Sequence, residues 1–211
     1  MCEKVDIIFV LDRSGSIYPN DFQLMREFVI SMGERLKVGE RNSAGEIIGQ
    51  AAIVTFSERG KVELTLKSSQ RRGRFRSVVT NMPGPRRGGR TKTHRGLAVA
   101  DIKVVKKSAG YREDDPNVVK IFMVITDGKQ TKESRRRGYK YVREAMQPFF
   151  KRENLNVFAV GIGLEENSPA YRQVKDMVQK DENAFLMKTL DRKSTRLNSS
   201  HIQKSRMPSS A

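Results

Sequence analysis

The sequence predicts a doubly wound α/β fold, with a mostly parallel central sheet flanked by helices and one antiparallel edge strand. Three observations predict it. The apolar runs Val5-Asp6-Ile7-Ile8-Phe9-Val10-Leu11, Ile121-Phe122-Met123-Val124-Ile125 and Val157-Phe158-Ala159-Val160 lack polar alternation, as in strands covered on both faces. Segments with apolar residues at i, i+3, i+4 spacing alternate with these runs along the chain. Neither an internal repeat nor an interior low-complexity linker divides the 211 residues, so a single domain is expected.

The first strand, Val5 to Leu11, runs into Asp12-Arg13-Ser14-Gly15-Ser16. A helix follows in which Phe22, Met25, Phe28, Val29, Met32 and Leu36 form one apolar face and Asp21 is placed to cap the N-terminus. After the polar loop Gly39 to Gly49, Ala51 to Phe56 and Val62 to Leu66 read as strands of a hairpin joined across Glu58-Arg59-Gly60. Arg71 to Asn81 reads as a short basic helix, and Met82 to Arg90 as a Pro/Gly/Arg loop. The order then continues with a helix from Thr93 to Ser108, a strand from Val118 to Thr126 and a helix from Tyr139 to Lys151. A strand from Val157 to Ile162, a helix from Pro169 to Gln179 and a short strand from Ala184 to Met187 complete it.

Composition narrows the chemistry. A hydrophobic fraction of 37% suits a globular domain with a real core, and no run approaches the roughly 20 apolar residues of a membrane span. No signal peptide precedes the first strand, so either the chain is cytosolic or a leader lies outside this sequence. The single cysteine, Cys2, excludes an internal disulfide and a Cys-rich zinc site, and two histidines supply a His-based metal centre or a Ser-His-Asp triad poorly. The net charge of +17 points to acidic proteins, sulfated glycans or nucleic acid as partners without choosing among them.

The last residues, Asp191 to Ala211, hold six serines, no aromatic residue and no apolar periodicity. Back-translated, Asp191 to His201 and Ser205 to Ala211 match a common sequencing-library adapter read in frame, so 191–211 is expected to be a translated artefact, disordered, with the domain occupying 1–190. This tail carries five Lys/Arg and one Asp, and without it the charge is still +13 of the +17.

In an open parallel sheet, ligands bind beyond the carboxyl ends of the strands at the point where strand order reverses. Three polar clusters fall where that rule brings them together: Asp12, Ser14 and Ser16 after the first strand, Thr91 and Thr93 before a helix, and Asp127-Gly128 after Val124-Ile125-Thr126. Two carboxylates and several hydroxyls make an all-oxygen donor set suited to a hard divalent ion such as Mg²⁺. Glycine at position 15 is expected to let the backbone turn tightly between two inward-facing serines. Taken alone, Asp12-Arg13-Ser14-Gly15-Ser16 also reads as a helix-capping turn. A serine nucleophile lacks a G-x-S-x-G elbow and a base, a P-loop lacks its G-x-x-x-x-G-K-[ST] pattern, and no enzymatic activity is expected.

The combination of D-x-S-x-S at Asp12 to Ser16, G-R-T-K-T at Gly89 to Thr93 and I-T-D-G at Ile125 to Gly128 resembles the metal-ion-dependent adhesion site of von Willebrand factor A domains, the integrin inserted domains among them. The likeness covers Val5 to Met187 with the elements in the family's order. It implies Ser14, Ser16 and Thr91 as hydroxyl ligands, Thr91 rather than Thr93, and Asp12 and Asp127 as carboxylates binding directly or through water. It further implies Mg²⁺ or Mn²⁺ as cofactor, with the last coordination position taken by a Glu or Asp of an extracellular, collagen-like or matrix partner. The family's C-terminal helix is expected to be missing after Leu190, and Cys2 to be one half of a bridge between the termini.

Arg13, Arg90, Lys92, His94 and Lys129 are expected to form a ligand-binding rim, His94 as a rim or helix-start residue rather than a metal ligand. Arg86, Arg87, Arg95, Lys132 and Arg135 to Arg137 extend the positive charge, whereas Arg71, Arg72, Arg74 and Arg76 read as one solvated face. The favoured expectation is a secreted or ectodomain adhesion module. The alternatives are an intracellular module that binds nucleic acid or assembles a complex, and a polyanion-binding matrix protein whose metal site is secondary.

Overall fold

The computed structural model describes residues 4–85, 87–128, 130–131 and 138–187, with no side-chain description for 138–141. Cys2, Arg86, Lys129, Lys132, Arg135 to Arg137 and the segment 188–211 lie outside the described residues. Six strands form one sheet in the order β3-β2-β1-β4-β5-β6. They are β1 (Lys4–Asp12), β2 (Gly49–Phe56), β3 (Gly60–Leu64), β4 (Val118–Thr126), β5 (Leu155–Ile162) and β6 (Ala184–Met187). All pairings are parallel except β2 with β3, where Phe56 lies opposite Gly60 across the expected hairpin. This is the doubly wound order, and its reversal point falls between β1 and β4.

Both faces of the sheet are covered, which is why the central strands read as unbroken apolar runs. Along β1, Ile7, Phe9 and Leu11 join a core that includes Phe22, Met25 and Val29 of α1 (Pro19–Arg35) and Phe75 and Val79 of α3 (Arg74–Thr80). Ile8 and Val10 point the other way, into a core with Leu97 and Ala100 of α4 (Thr93–Lys103), Met146 and Phe149 of α5 (Gly138–Phe150) and Val174 of α6 (Pro169–Lys175). Phe122 and Phe149 stack there at 3.9 Å between centroids.

Several boundaries differ from the sequence expectation. Strand β3 stops at Leu64, because Thr65 accepts the Ser68 amide through its hydroxyl and starts the short helix α2 (Leu66–Ser69). Leu66 is thus a core residue on a helix rather than the last alternating residue of a strand. The basic helix is shorter than 71–81, since Gly73 at φ 75° precedes its start. The helix expected to reach Ser108 ends at Lys103, followed by a 3₁₀ turn at Lys107–Ala109, and α6 ends at Lys175 rather than Gln179. Asp21 lies inside α1, whose N-cap is Tyr18 with Pro19 at the first position, so the helix start uses proline rather than a capping aspartate.

Candidate functional site

Adjacent parallel pairing of β1 with β4, with Leu11 opposite Ile125, delivers Asp12 and Asp127 side by side at the carboxyl pole of the sheet. Asp12 is wholly buried, and Asp127 is 4% exposed. The Asp12 carboxylate accepts the Ser14 amide on Oδ1 at 2.8 Å and the Thr126 hydroxyl on Oδ2 at 2.7 Å. Thr126 Oγ1 in turn accepts the Gly128 amide at 3.1 Å, so one hydroxyl ties the two acidic turns together.

Three hydroxyls converge beside these carboxylates. Ser14 Oγ lies 3.0 Å from Ser16 Oγ, and Ser16 Oγ lies 3.5 Å from Thr91 Oγ1. Thr93, by contrast, opens α4 and receives the Gln130 amide on its own hydroxyl. The loop carrying Thr91 is held from several sides: Gly15 N donates to Gly89 O at 3.0 Å, Ser57 Oγ to Arg90 O at 3.2 Å and Lys92 N to Ser57 O at 3.0 Å. Gly15 does this without belonging to the described glycines of positive φ. Its contribution is therefore the amide that reaches Gly89 rather than left-handed freedom. Behind the loop, Gly96 allows α4 to press on Phe56, where an added Cβ would come within 2.8 Å of the phenylalanine side chain.

Burial pushes the Asp12 carboxyl up from 3.8 to about 7, and the neighbouring charge of Asp127 pushes in the same direction. The hydrogen bonds from Ser14 and Thr126 oppose this without cancelling it. Among the described residues no three His, Cys, Asp or Glu side chains gather, so hydroxyls must supply most donors to any cation held here. The donor set fits a hard ion: neighbouring oxygens around Mg²⁺ at about 2.1 Å stand about 3.0 Å apart, as Ser14 and Ser16 already do.

The expected rim residues are placed less uniformly. Arg90 is exposed, and His94 is half-buried as the second residue of α4. Lys92 is only 9% exposed. Arg13 turns toward the chain itself, its guanidinium donating to Gly84 O at 3.3 Å and to Glu63 at 3.5 Å. Lys129 lies outside the described residues. Sequence reasoning missed Thr126, Ser57 and Thr131 as supports. For Thr126 a signal existed, since a strand's last hydroxyl before an acid can reach the neighbouring strand's end.

An open sheet of order 3-2-1-4-5-6 with aspartates and hydroxyls at its reversal point defines an A-type α/β module. The von Willebrand factor type A domain family matches residues 6–199, and the chain belongs to that family. Mouse integrin alpha-M is 30% identical over 176 residues, covering 83% of this chain and 14% of that protein. Chicken matrilin-3 is 23% identical, covering 88% of this chain and 37% of its own length, and human collagen alpha-1(XXI) is 24% identical, covering 80% and 15%. The chain thus spans well under half of these relatives. Proximal thread matrix protein 1 of the mussel byssus, solved with a zinc-occupied MIDAS motif, shares the fold at a TM-score of 0.69. Its identity is 23%, covering 93% of this chain and 47% of that one. No helix among the described residues is long and apolar enough to cross a membrane.

Proposed function

We propose that this domain is a non-enzymatic, divalent-cation-dependent binding module of the adhesion or extracellular-matrix type. The observation that carries it is the convergence of Ser14, Ser16 and Thr91 hydroxyls on two buried aspartates, Asp12 and Asp127, at the reversal point of the sheet. Ser14, Ser16 and Thr91 offer neutral oxygens, while Asp12 and Asp127 offer the charge that balances a divalent ion. Mg²⁺ or Mn²⁺ suits this all-oxygen set, and the ion supplies an electrophilic position for a carboxylate of the partner. An integrin subunit, a matrilin and a collagen among the relatives, and zinc in the MIDAS motif of the byssal matrix protein, support this reading.

The chain's own residues prepare that position. Thr126 and Ser14 N fix the Asp12 carboxylate, the Ser57 bonds hold the Thr91 loop, and exposed Arg90 stands beside it to attract an acidic group. The partner is a secreted or cell-surface protein offering Glu or Asp, of collagen-like or matrix type, which places this domain outside the cell. The domain proper occupies residues 1–190. The stretch 191–211 is adapter-derived although the family match runs to 199, and codons unlike the adapter's in the source transcript disprove that assignment.

The test is binding to a panel of immobilised matrix proteins with Mg²⁺, with a chelator, and with Asp12→Ala. Loss of binding under both perturbations is expected, and binding that survives both refutes the proposal. The charge of +13 that remains of the +17 without 191–211 favours a second reading, sulfated-glycan binding in a matrix protein, or nucleic-acid binding in an intracellular one. Either predicts a steep fall of affinity with salt and indifference to chelation.

A further inference from the structure

The cleft at the β2–β3 turn, lined in part by Arg13, Arg59 and Lys61, resembles an anion site, but Glu63 already engages both Arg13 and Lys61. The segment after Asp127 carries more. There Thr131 meets Thr91 twice: Thr131 N donates to Thr91 O at 3.0 Å, and Thr91 N donates to Thr131 Oγ1 at 2.9 Å. Next to it, Gln130 donates from its side chain to Thr93 Oγ1 and from its backbone to Gly128 O at 3.1 Å.

We propose that Thr131 is a positioning residue for cation binding, its hydroxyl holding the Thr91 amide so that the Thr91 side chain stays turned toward Ser16. Thr91 is 2% exposed, so its N–H has no ready access to water if that acceptor is lost. The loop must then shift to recover a partner. A shift of the loop moves Oγ1 relative to Ser16, from which it stands 3.5 Å, and disturbs the spacing of the hydroxyl set. The other anchors of the loop reach Gly89, Arg90 and Lys92, flanking Thr91 but not touching it. Thr131 thus holds both backbone groups of Thr91 itself, and it ties the Thr91 loop to the turn that carries Asp127. The inference rests on the cation-binding reading above.

The test titrates Mg²⁺ and Mn²⁺ calorimetrically into the metal-free wild-type chain, Thr131→Val and Thr131→Ser, with Thr91→Ala as reference. Valine keeps the shape and the backbone bond but removes the acceptor, while serine retains it. The expected result is about tenfold weaker binding for Thr131→Val, near wild-type binding for Thr131→Ser, and metal-free unfolding midpoints close together for all three. If wild type and Thr131→Val bind alike while Thr91→Ala is impaired, the positioning role is overturned. It is also overturned if Thr131→Ser loses as much as Thr131→Val, or, should Thr131→Val not fold, if Thr131→Ser binds weakly. If the wild-type chain binds neither ion, the cation-binding reading itself fails.

Discussion

Replacing Asp12 by asparagine removes one negative charge from a fully buried position while keeping the side chain's shape. The Ser14 amide can still donate to Oδ1, and opposite Nδ2 the Thr126 hydroxyl reverses from donor to acceptor. In the metal-free wild-type domain, Asp12 has its carboxyl raised from 3.8 to about 7 by burial and by Asp127. The folded state therefore holds that proton more tightly than the unfolded chain does. Stability from this group is fully present below pH 4 and is lost as pH rises through about 7. Three decades of proton affinity correspond to roughly 4 kcal/mol. At roughly 2–4 °C per kcal/mol for a domain of this size, the wild-type midpoint should fall by about 10 °C relative to that of Asp12→Asn between pH 4 and pH 8 in chelator. Asp12→Asn abolishes this component, so the variant should be the more stable of the two at pH 8 without metal.

With Mg²⁺ the gap narrows, and it closes only at about 1,000 times the dissociation constant, where the ion contributes about 4.1 kcal/mol. At 100 times its dissociation constant the ion stabilises the wild type by about 2.7 kcal/mol, and it should do little for the variant. Proton and cation compete for Asp12, so wild-type affinity for Mg²⁺ should weaken as pH falls below about 7. The assay is thermal unfolding of both proteins from pH 4 to 8, in chelator and in Mg²⁺. Parallel pH profiles in chelator, or an undiminished Mg²⁺ shift in Asp12→Asn, would refute the reasoning.

Two further substitutions probe the scaffold. Arg112→Met leaves the wholly buried Asp6 without the guanidinium that contacts it at 2.7–2.8 Å, and should cost about 3–5 kcal/mol in urea unfolding. Residual Mg²⁺ binding at low urea should be unchanged, because Asp6 sits at the opposite end of β1 from Asp12. Gly128→Ala forces a Cβ onto a residue at φ 67° and within 2.3 Å of Ala170 O. It should cost on the order of 1–3 kcal/mol and weaken Mg²⁺ binding severalfold by moving Asp127. Wild-type calorimetric titration by that variant would show that the turn tolerates the shift.

The sheet was legible because its strands are buried on both faces, so that β1, β4 and β5 read as apolar runs and the helices between them as amphipathic. The candidate site was legible because Asp12, Ser14, Ser16, Thr91 and Asp127 sit where strands end, and polar residues there have no packing role to explain them. What holds those residues was not legible. Thr131 reaches Thr91 across 40 positions and Arg112 reaches Asp6 across 106, and nothing local distinguishes such a threonine or arginine from a solvated one. The end of β3 was misplaced for a related reason. Leu64 and Leu66 continue a strand's alternation, but Thr65 finds the Ser68 amide and turns the chain into a helix.

The two aspartates of β1 have their charge met in different ways, and the difference supports the carboxyl pole as the proposed functional end. Asp6 and Asp12 occupy the same strand, both wholly buried. Asp6 receives Arg112 through its backbone amide, Nε and Nη2, a cation supplied by the chain and itself anchored on Val5, Ile47 and Ile48 carbonyls. At Asp12 the hydrogen-bond donors in contact are neutral, the Ser14 amide and the Thr126 hydroxyl, and the nearby charge that acts on it is the like charge of Asp127. A buried carboxylate needs a compensating cation or a proton. At Asp6 the sequence encodes the cation as an arginine. At Asp12 it encodes hydroxyls spaced like the ligands of a small ion, and under the proposed function the compensating charge comes from solution. Under the proposed reading, fold and partner recognition are linked through one site: a cation that relieves the repulsion between Asp12 and Asp127 would also present an open electrophilic face to an incoming acid. Chelation should therefore lower stability and binding together.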